Sequence, residues 1–284
     1  MVRNMSNIED REQKKYAPIG VFDSGVGGLT VAREIMRQMP HEKIVYFGDT
    51  ARVPYGSKSK ETVTKFSRQI VRFLQTQNVK AIVVACNTAS AVALDEIEQE
   101  IDIPMIGVVK PGAKVAARTT RNGKIGVIGT ESTIGSQVYS HYIKEIHPDA
   151  EVIGKACPLF VPLVEEGLLQ DPVTDEIATR YLSELIDIDI DTLILGCTHY
   201  PLIRSTVGRI IGDKVTLVNP AYETAIELRN LLEQENLLND REPRLGENQY
   251  SFYVSDAADR FKRFANAILK YGILSAKNVN IEEY

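Results

Sequence analysis

KAIVVACNTASA (80–91) and DTLILGCTHYPL (191–202) are one pattern written twice: an apolar run of strand composition, a cysteine, and small polar residues where a helix would open. The relation extends in both directions. GVFDSG (20–25) resembles GVIGTE (126–131), and VVKPG (108–112) resembles LVNPA (217–221), so offsets of 106, 111 and 109 residues link three pairs in one order. A duplicated four-strand unit, roughly 19–112 and 124–219, accounts for all three.

Short β-branched runs fill both copies: IGVF (19–22), KIVYF (43–47), KAIVVA (80–85), PMIGVV (104–109), KIGVI (124–128), AEVIG (150–154), DTLIL (191–195) and KVTLV (214–218). Segments of helical period separate them, as with Val63, Phe66, Ile70, Phe73 and Leu74. Strands apolar on both faces belong in a parallel sheet covered by helices. The expected fold class is therefore α/β, two similar domains with parallel-sheet cores related by a pseudo-twofold, with the active site in the cleft between them. The expected division is 17–112 plus 220–284 on the Cys86 side and 113–219 on the Cys197 side. After the second copy come an amphipathic helix around 222–238, a strand around 250–254 and a helix with Phe261, Phe264 and Ile268 on one face, expected to pack on the first domain.

Composition narrows the function. The chain has 284 residues, 44% hydrophobic and 25% charged, enough for a core that needs no disulfide or metal. A net charge of −5 lacks the basic excess of a nucleic-acid binder. No window approaches the roughly 18 apolar residues of a membrane span. Residues 1–16 mix charge signs without an apolar stretch and read as a polar tail rather than a secretory signal. The expected location is cytoplasmic, with reduced thiols. The three cysteines lack any C-x-x-C spacing, which argues against a disulfide framework or a zinc ribbon.

Cys86 and Cys197 close their strands, where open α/β sheets bind ligands, and a helix start there lowers a thiol's pKa. One buried cysteine is ordinarily a small core hydrophobe; two in equivalent positions, brought by pseudo-symmetry to opposite sides of a cleft, are not. Inverting a carbon centre needs a base on one face and an acid on the other, exchanging roles with direction, and a racemase fits that demand. Asp23 and His199 stand near the two thiols in sequence or across the strand ends, placed to tune or relay.

Rival readings attach to the same residues. GVFDSGVGG (20–28) is a Gly-rich strand-to-helix turn suited to anions, and Asp49 stands where a ribose-binding acid would. The dinucleotide fingerprint is incomplete: Thr30 takes the third glycine position, and Asp23 would set a negative charge beside a pyrophosphate. Cys86, Cys197 and His199 form a conceivable zinc set, but C-T-H at a strand end is not a usual ligand pair, and no metal is expected. A covalent thiol mechanism leaves the duplicate cysteine unexplained. Ser24, Asn87, Thr88 and Thr198 are short donors near helix starts, suited to carboxylates and equally to capping. Tyr55-Gly56 follows Pro54 in a turn. Cys157, without a duplicate, reads as structural, and His41, His141 and His147 fall outside the site.

DSGVGG (23–28), PYG (54–56), ACNTAS (85–90) and GCTHYP (196–201) resemble the signature segments of the cofactor-independent glutamate racemases, within the wider aspartate/glutamate racemase group, over nearly all of residues 17–271. The resemblance implies that Cys86 and Cys197 are catalytic acid/base thiols assisted by Asp23 and His199. It implies that Asp23, Ser24, Tyr55, Gly56, Asn87, Thr88, Thr198 and His199 line the amino-acid site, and that Glu165, next to Glu166, assists. It further implies no cofactor, glutamate as the small-molecule substrate, D-glutamate supply for bacterial peptidoglycan, and a homodimer. The alternatives are an aspartate racemase or related dicarboxylate isomerase and, from another class, a non-catalytic dicarboxylate-binding module.

Overall fold

A computed structural model describes residues 13–243, 248–269 and 275–284. Two parallel sheets organise it. The first contains β1 (Ile19–Asp23), β2 (Ile44–Gly48), β3 (Ala81–Val84) and β4 (Met105–Gly107), and the second β5 (Lys124–Gly129), β6 (Glu151–Ala156), β7 (Thr192–Gly196) and β8 (Thr216–Val218). All eight strands fall on the eight apolar runs. The spatial orders are β2-β1-β3-β4 and β6-β5-β7-β8, so the repeat visible in the sequence is also a repeat of topology. The strands β1, β2, β3 and β7 are buried throughout, as parallel strands sandwiched between helices must be. In each order the chain reverses direction across the sheet between β1 and β3, or β5 and β7, and the ends of those strands form the crevice typical of such folds.

Segments after the second copy enlarge the first sheet. β9 (Tyr250–Val254) pairs in parallel with β2, and β10 (Lys277–Asn278) with β9. Phe261, Ala265 and Ile268 of helix 258–268 join the core formed by Tyr46 and Phe252.

The helices that follow the fourth strand of each unit are exchanged. Helix 109–119 buries Val109, Ala113, Ala116 and Ala117 against Ile125, Val127 and Ile194 of the second sheet. Helix 220–234 buries Ala221, Ala225, Leu228 and Leu232 against Ile19, Val21, Ala81 and Val83 of the first. They cross at the VVKPG/LVNPA pair, where a Cβ on Gly112 would meet Pro220 Cγ at 3.0 Å. The expected division at residue 112 falls inside the first of these helices. The second begins at Pro220 rather than 222: Asn219 caps it, its side chain accepting from Ala221 N–H, and proline suits the first helical turn.

One buried ion pair ties the periphery to the first sheet. Lys80 Nζ lies 2.6 Å from Glu42 Oε2, both side chains inaccessible to solvent, and donates to the carbonyls of Lys15 (2.7 Å) and Leu237 (2.8 Å). Residues 13–16 are thereby held. Residues 1–12 of the polar tail lie outside the described residues.

Candidate active site

The crevice between the sheets is a cavity of about 370 Å³, lined from the first unit by Ser24, Tyr55, Gly56, Cys86, Asn87 and Thr88 and from the second by Thr130, Glu165, Cys197, Thr198 and His199. Both thiols sit at strand ends. Ala85 N–H extends the β3 ladder to Phe22 O (2.9 Å), which fixes Cys86 as the first residue beyond it. Cys86 then caps helix 87–92, its Sγ accepting from Ala89 N–H at 3.5 Å. Cys197 follows β7, and its carbonyl starts the turn at Tyr200 (3.1 Å).

The two thiols have opposite surroundings. Cys86 Sγ lies 3.6 Å from Ser24 Oγ. Burial, reinforced by the negative charge of Asp23, pushes its thiol up to about 12. This overturns the expectation that a helix start favours thiolate at this position: one N–H at the mouth of a six-residue helix does not offset desolvation. Asp23 is wholly buried behind the cavity wall, accepting from Gly25 N–H (3.0 Å) and Thr198 Oγ1 (3.5 Å). Burial raises its carboxyl, against the nearby His199 and the N–H groups of Gly28, Gly25 and Ser24.

On the second side, His199 Nδ1 lies 3.9 Å from Cys197 Sγ and Nε2 lies 3.2 Å from Glu165 Oε1. Burial alone would lower the histidine, but the hydrogen bonds with Cys197 and Glu165 outweigh it and push His199 up to about 10. The direction favours the protonated ring. Its hydrogen bond holds Glu165 below the usual carboxylate range, against burial. By the sequence offsets, the counterpart of His199 is Thr88 and that of Asp23 is Gly129. The scaffold is symmetric, but its charges are not.

The Gly-rich turn has a different use from anion binding. A Cβ on Gly27 would run into Thr198 Oγ1 and His199 Nδ1, and Thr30 Oγ1 donates to Gly27 O (2.9 Å) and Thr198 O (3.0 Å). The second unit fills the space a pyrophosphate would need, so the dinucleotide reading fails on sterics. Other short polar residues also span the units. Asn87 Oδ1 accepts from Tyr139 Oη (2.6 Å), Thr88 Oγ1 meets Thr130 Oγ1 (3.0 Å), and Gly56 O accepts from both N–H and Oγ of Ser132 (3.0 and 2.9 Å). Tyr55 is buried and donates its hydroxyl to Asp49.

Thr130 escaped the sequence reading although the signal was present: it is the counterpart of Ser24 at the 106-residue offset. The apolar wall residues Val53, Pro158, Val161 and Pro162 carried no such signal. Cys157 packs in the core of the second unit with Phe160 and Leu195, but it does have a positional counterpart. Its N–H bonds Gly129 O (2.9 Å) just as Asp49 N–H bonds Asp23 O (3.0 Å). His41 and His141 pair with Glu242 and Glu145 away from the cavity, and His147 lies in the turn before β6. Among the described residues no cluster of three His, Cys, Asp or Glu side chains could hold a metal ion, and no helix is long and apolar enough to cross a membrane.

Residues 19–226 match the family model described as Asp/Glu/Hydantoin racemase. A glutamate racemase from Geobacter metallireducens is 49% identical over 267 residues, covering 94% of this chain and 98% of that protein. A crystal structure of a glutamate racemase isoform from Bacillus anthracis superposes with a TM-score of 0.88 at 42% identity, covering 94% of this chain and 98% of that one. The glutamate racemase of Francisella tularensis, solved in complex with D-glutamate, gives a TM-score of 0.88 at 39% identity, covering 95% and 100%.

Proposed function

Because the chain belongs to the Asp/Glu/hydantoin racemase family and is an amino-acid racemase, an isomerase, we propose that Cys86 and Cys197 are the acid and base that invert the α-carbon of glutamate from its two faces. The reaction is the interconversion of L- and D-glutamate. The observation that carries the assignment of roles is that two cysteines, equivalent in a duplicated unit, line one cavity from different sheets.

The thiolate of one cysteine takes the α-proton, and the electron pair left on carbon is delocalised into the adjacent carboxylate. The thiol of the other cysteine delivers its proton to the opposite face and remains as thiolate. One proton has been lost and one gained, the centre is inverted, and the thiols have exchanged roles, so the reverse reaction starts from the state in which the forward one ends. The unequal surroundings set the two thiols apart: burial and Asp23 push the Cys86 thiol up, and thiolate formed on Cys197 during turnover faces the His199 ring. Asp23 and Glu165 act through those neighbours, while Ser24, Tyr55, Gly56, Asn87, Thr88 and Thr198 receive the substrate's polar groups. D-glutamate supply for bacterial peptidoglycan, a cytoplasmic location and a homodimer complete the proposal and rest on family membership.

The test is incubation of dialysed protein with L-glutamate and EDTA in deuterated water. Loss of optical rotation accompanied by α-deuterium incorporation supports the reading. Absence of exchange with either glutamate or aspartate would sink it.

A further inference from the structure

Asp49 is a buried carboxylate that the chemistry above does not use. It follows β2 and is absent from the cavity wall, yet the loop it opens supplies Val53, Pro54, Tyr55, Gly56 and Ser57 to that wall. Three side chains converge on it. Arg52 Nε donates to both its oxygens (3.0 and 2.8 Å), Ser255 Oγ donates to Oδ1 (2.8 Å), and the Tyr55 hydroxyl donates to Oδ2. Arg52 in turn lies over the Phe66 ring (4.1 Å) and reaches Glu282 Oε1 (3.1 Å).

The fold itself does not require an acid here. The counterpart in the second unit is Cys157, which makes the same ladder hydrogen bond and packs in an apolar core. Ser255 and Glu282 come from the segment appended after the duplicated units, so that segment buttresses this carboxylate and the loop beyond it. A buried charge with all its donors in place is a rigid anchor, and one missing a donor is a liability.

We propose that Asp49 is the positioning residue of the substrate loop: it fixes the Tyr55 ring against the cavity and thereby sets affinity for glutamate, leaving the proton transfers to the thiols. The Tyr55 hydroxyl is committed to Asp49, so Tyr55 serves the substrate through its ring and loop backbone. The inference rests on the reading of this cavity as the glutamate site.

Kinetics of L-glutamate racemisation by wild type, Asp49→Asn, Tyr55→Phe and the double variant, with melting temperatures, test it. The expected result is a KM raised about tenfold in Asp49→Asn with kcat within about threefold, a smaller rise in KM for Tyr55→Phe, and a double variant no worse than Asp49→Asn alone. Unchanged KM in both single variants, with kcat falling in step with folded fraction, would mean a purely structural role and overturn the proposal. Should Asp49→Asn not fold, Tyr55→Phe and Ser255→Ala decide: raised KM in both upholds the role, unchanged KM in both removes it. An inactive wild type in the same assay would instead refute the glutamate reading.

Discussion

The ring of His199 joins a carboxylate to a thiol: Nε2 stands 3.2 Å from Glu165 Oε1 while Nδ1 faces Cys197 Sγ at 3.9 Å. Glu165 closes helix 160–165 and Cys197 follows β7, so two separate elements of the second unit are linked through one side chain.

That link predicts an alkaline limit. His199 is pushed up to about 10 from an ordinary value near 6.5, so its contribution to stability is complete below about pH 6.5 and is lost as pH rises through the folded value. Activity that needs the imidazolium should fall over the same alkaline range. In Glu165→Gln, which removes one of the interactions raising His199, the alkaline limb of kcat/KM should move to lower pH and the plateau should drop about tenfold. A limb that stays in place would detach Glu165 from the titration of His199.

Each thiol serves one face, so single replacements should divide the reaction rather than merely slow it. Cys86→Ser and Cys197→Ser should each lose racemisation by about a thousandfold or more. Each should still wash deuterium into the α-position of one enantiomer, and the favoured enantiomer should differ between the two. Proton NMR of separate L- and D-glutamate incubations reads this directly. The same enantiomer exchanging in both variants would contradict a base on each face.

Gly27 sits where the first unit's turn touches the Thr198-His199 pair of the second. Gly27→Ala forces a methyl into that contact, and overpacking of this kind costs about 1–3 kcal/mol in stability. Because the displaced groups are those beside Cys197, we expect kcat/KM to fall about a hundredfold, well beyond the loss of folded protein. A variant with wild-type kinetics would show that the contact does not hold His199 in place.

The Lys80–Glu42 pair lies away from the cavity and makes a prediction about stability alone. Lys80→Met should destabilise by about 3–5 kcal/mol, because it strands a buried carboxylate. Lys80→Met combined with Glu42→Leu should recover part of that loss. Denaturant unfolding of both variants gives the comparison, and a double variant weaker than the single would exclude the stranded charge as the cause.

The apolar runs revealed the eight strands of the two units, most plainly the central ones that are buried on both faces, and the offset between copies led to the paired cysteines. Side-chain environments were less legible. A helix start after Cys86 suggested an acidic thiol, whereas burial and Asp23 keep it protonated, and both effects arise only when distant segments assemble. Asp49 had the sequence position of a ribose acid, yet its partner Ser255 lies 206 residues away. The start at Pro220 is marked in the sequence by the Asn219 cap and the proline, against an expected start near 222. The expected packing of the helix after the second copy on the first domain rested on no residue signal, since an amphipathic stripe records that one face is covered and not by what.

The helix crossing makes each unit depend on the other. A half-length polypeptide ending after its own last helix would leave part of one sheet face uncovered and project an apolar stripe into water. Two such halves, each covering the other, satisfy both needs at once. Separated halves would therefore each lack part of a core that the other supplies, so the two units hold together through this exchange as well as across the active-site cleft.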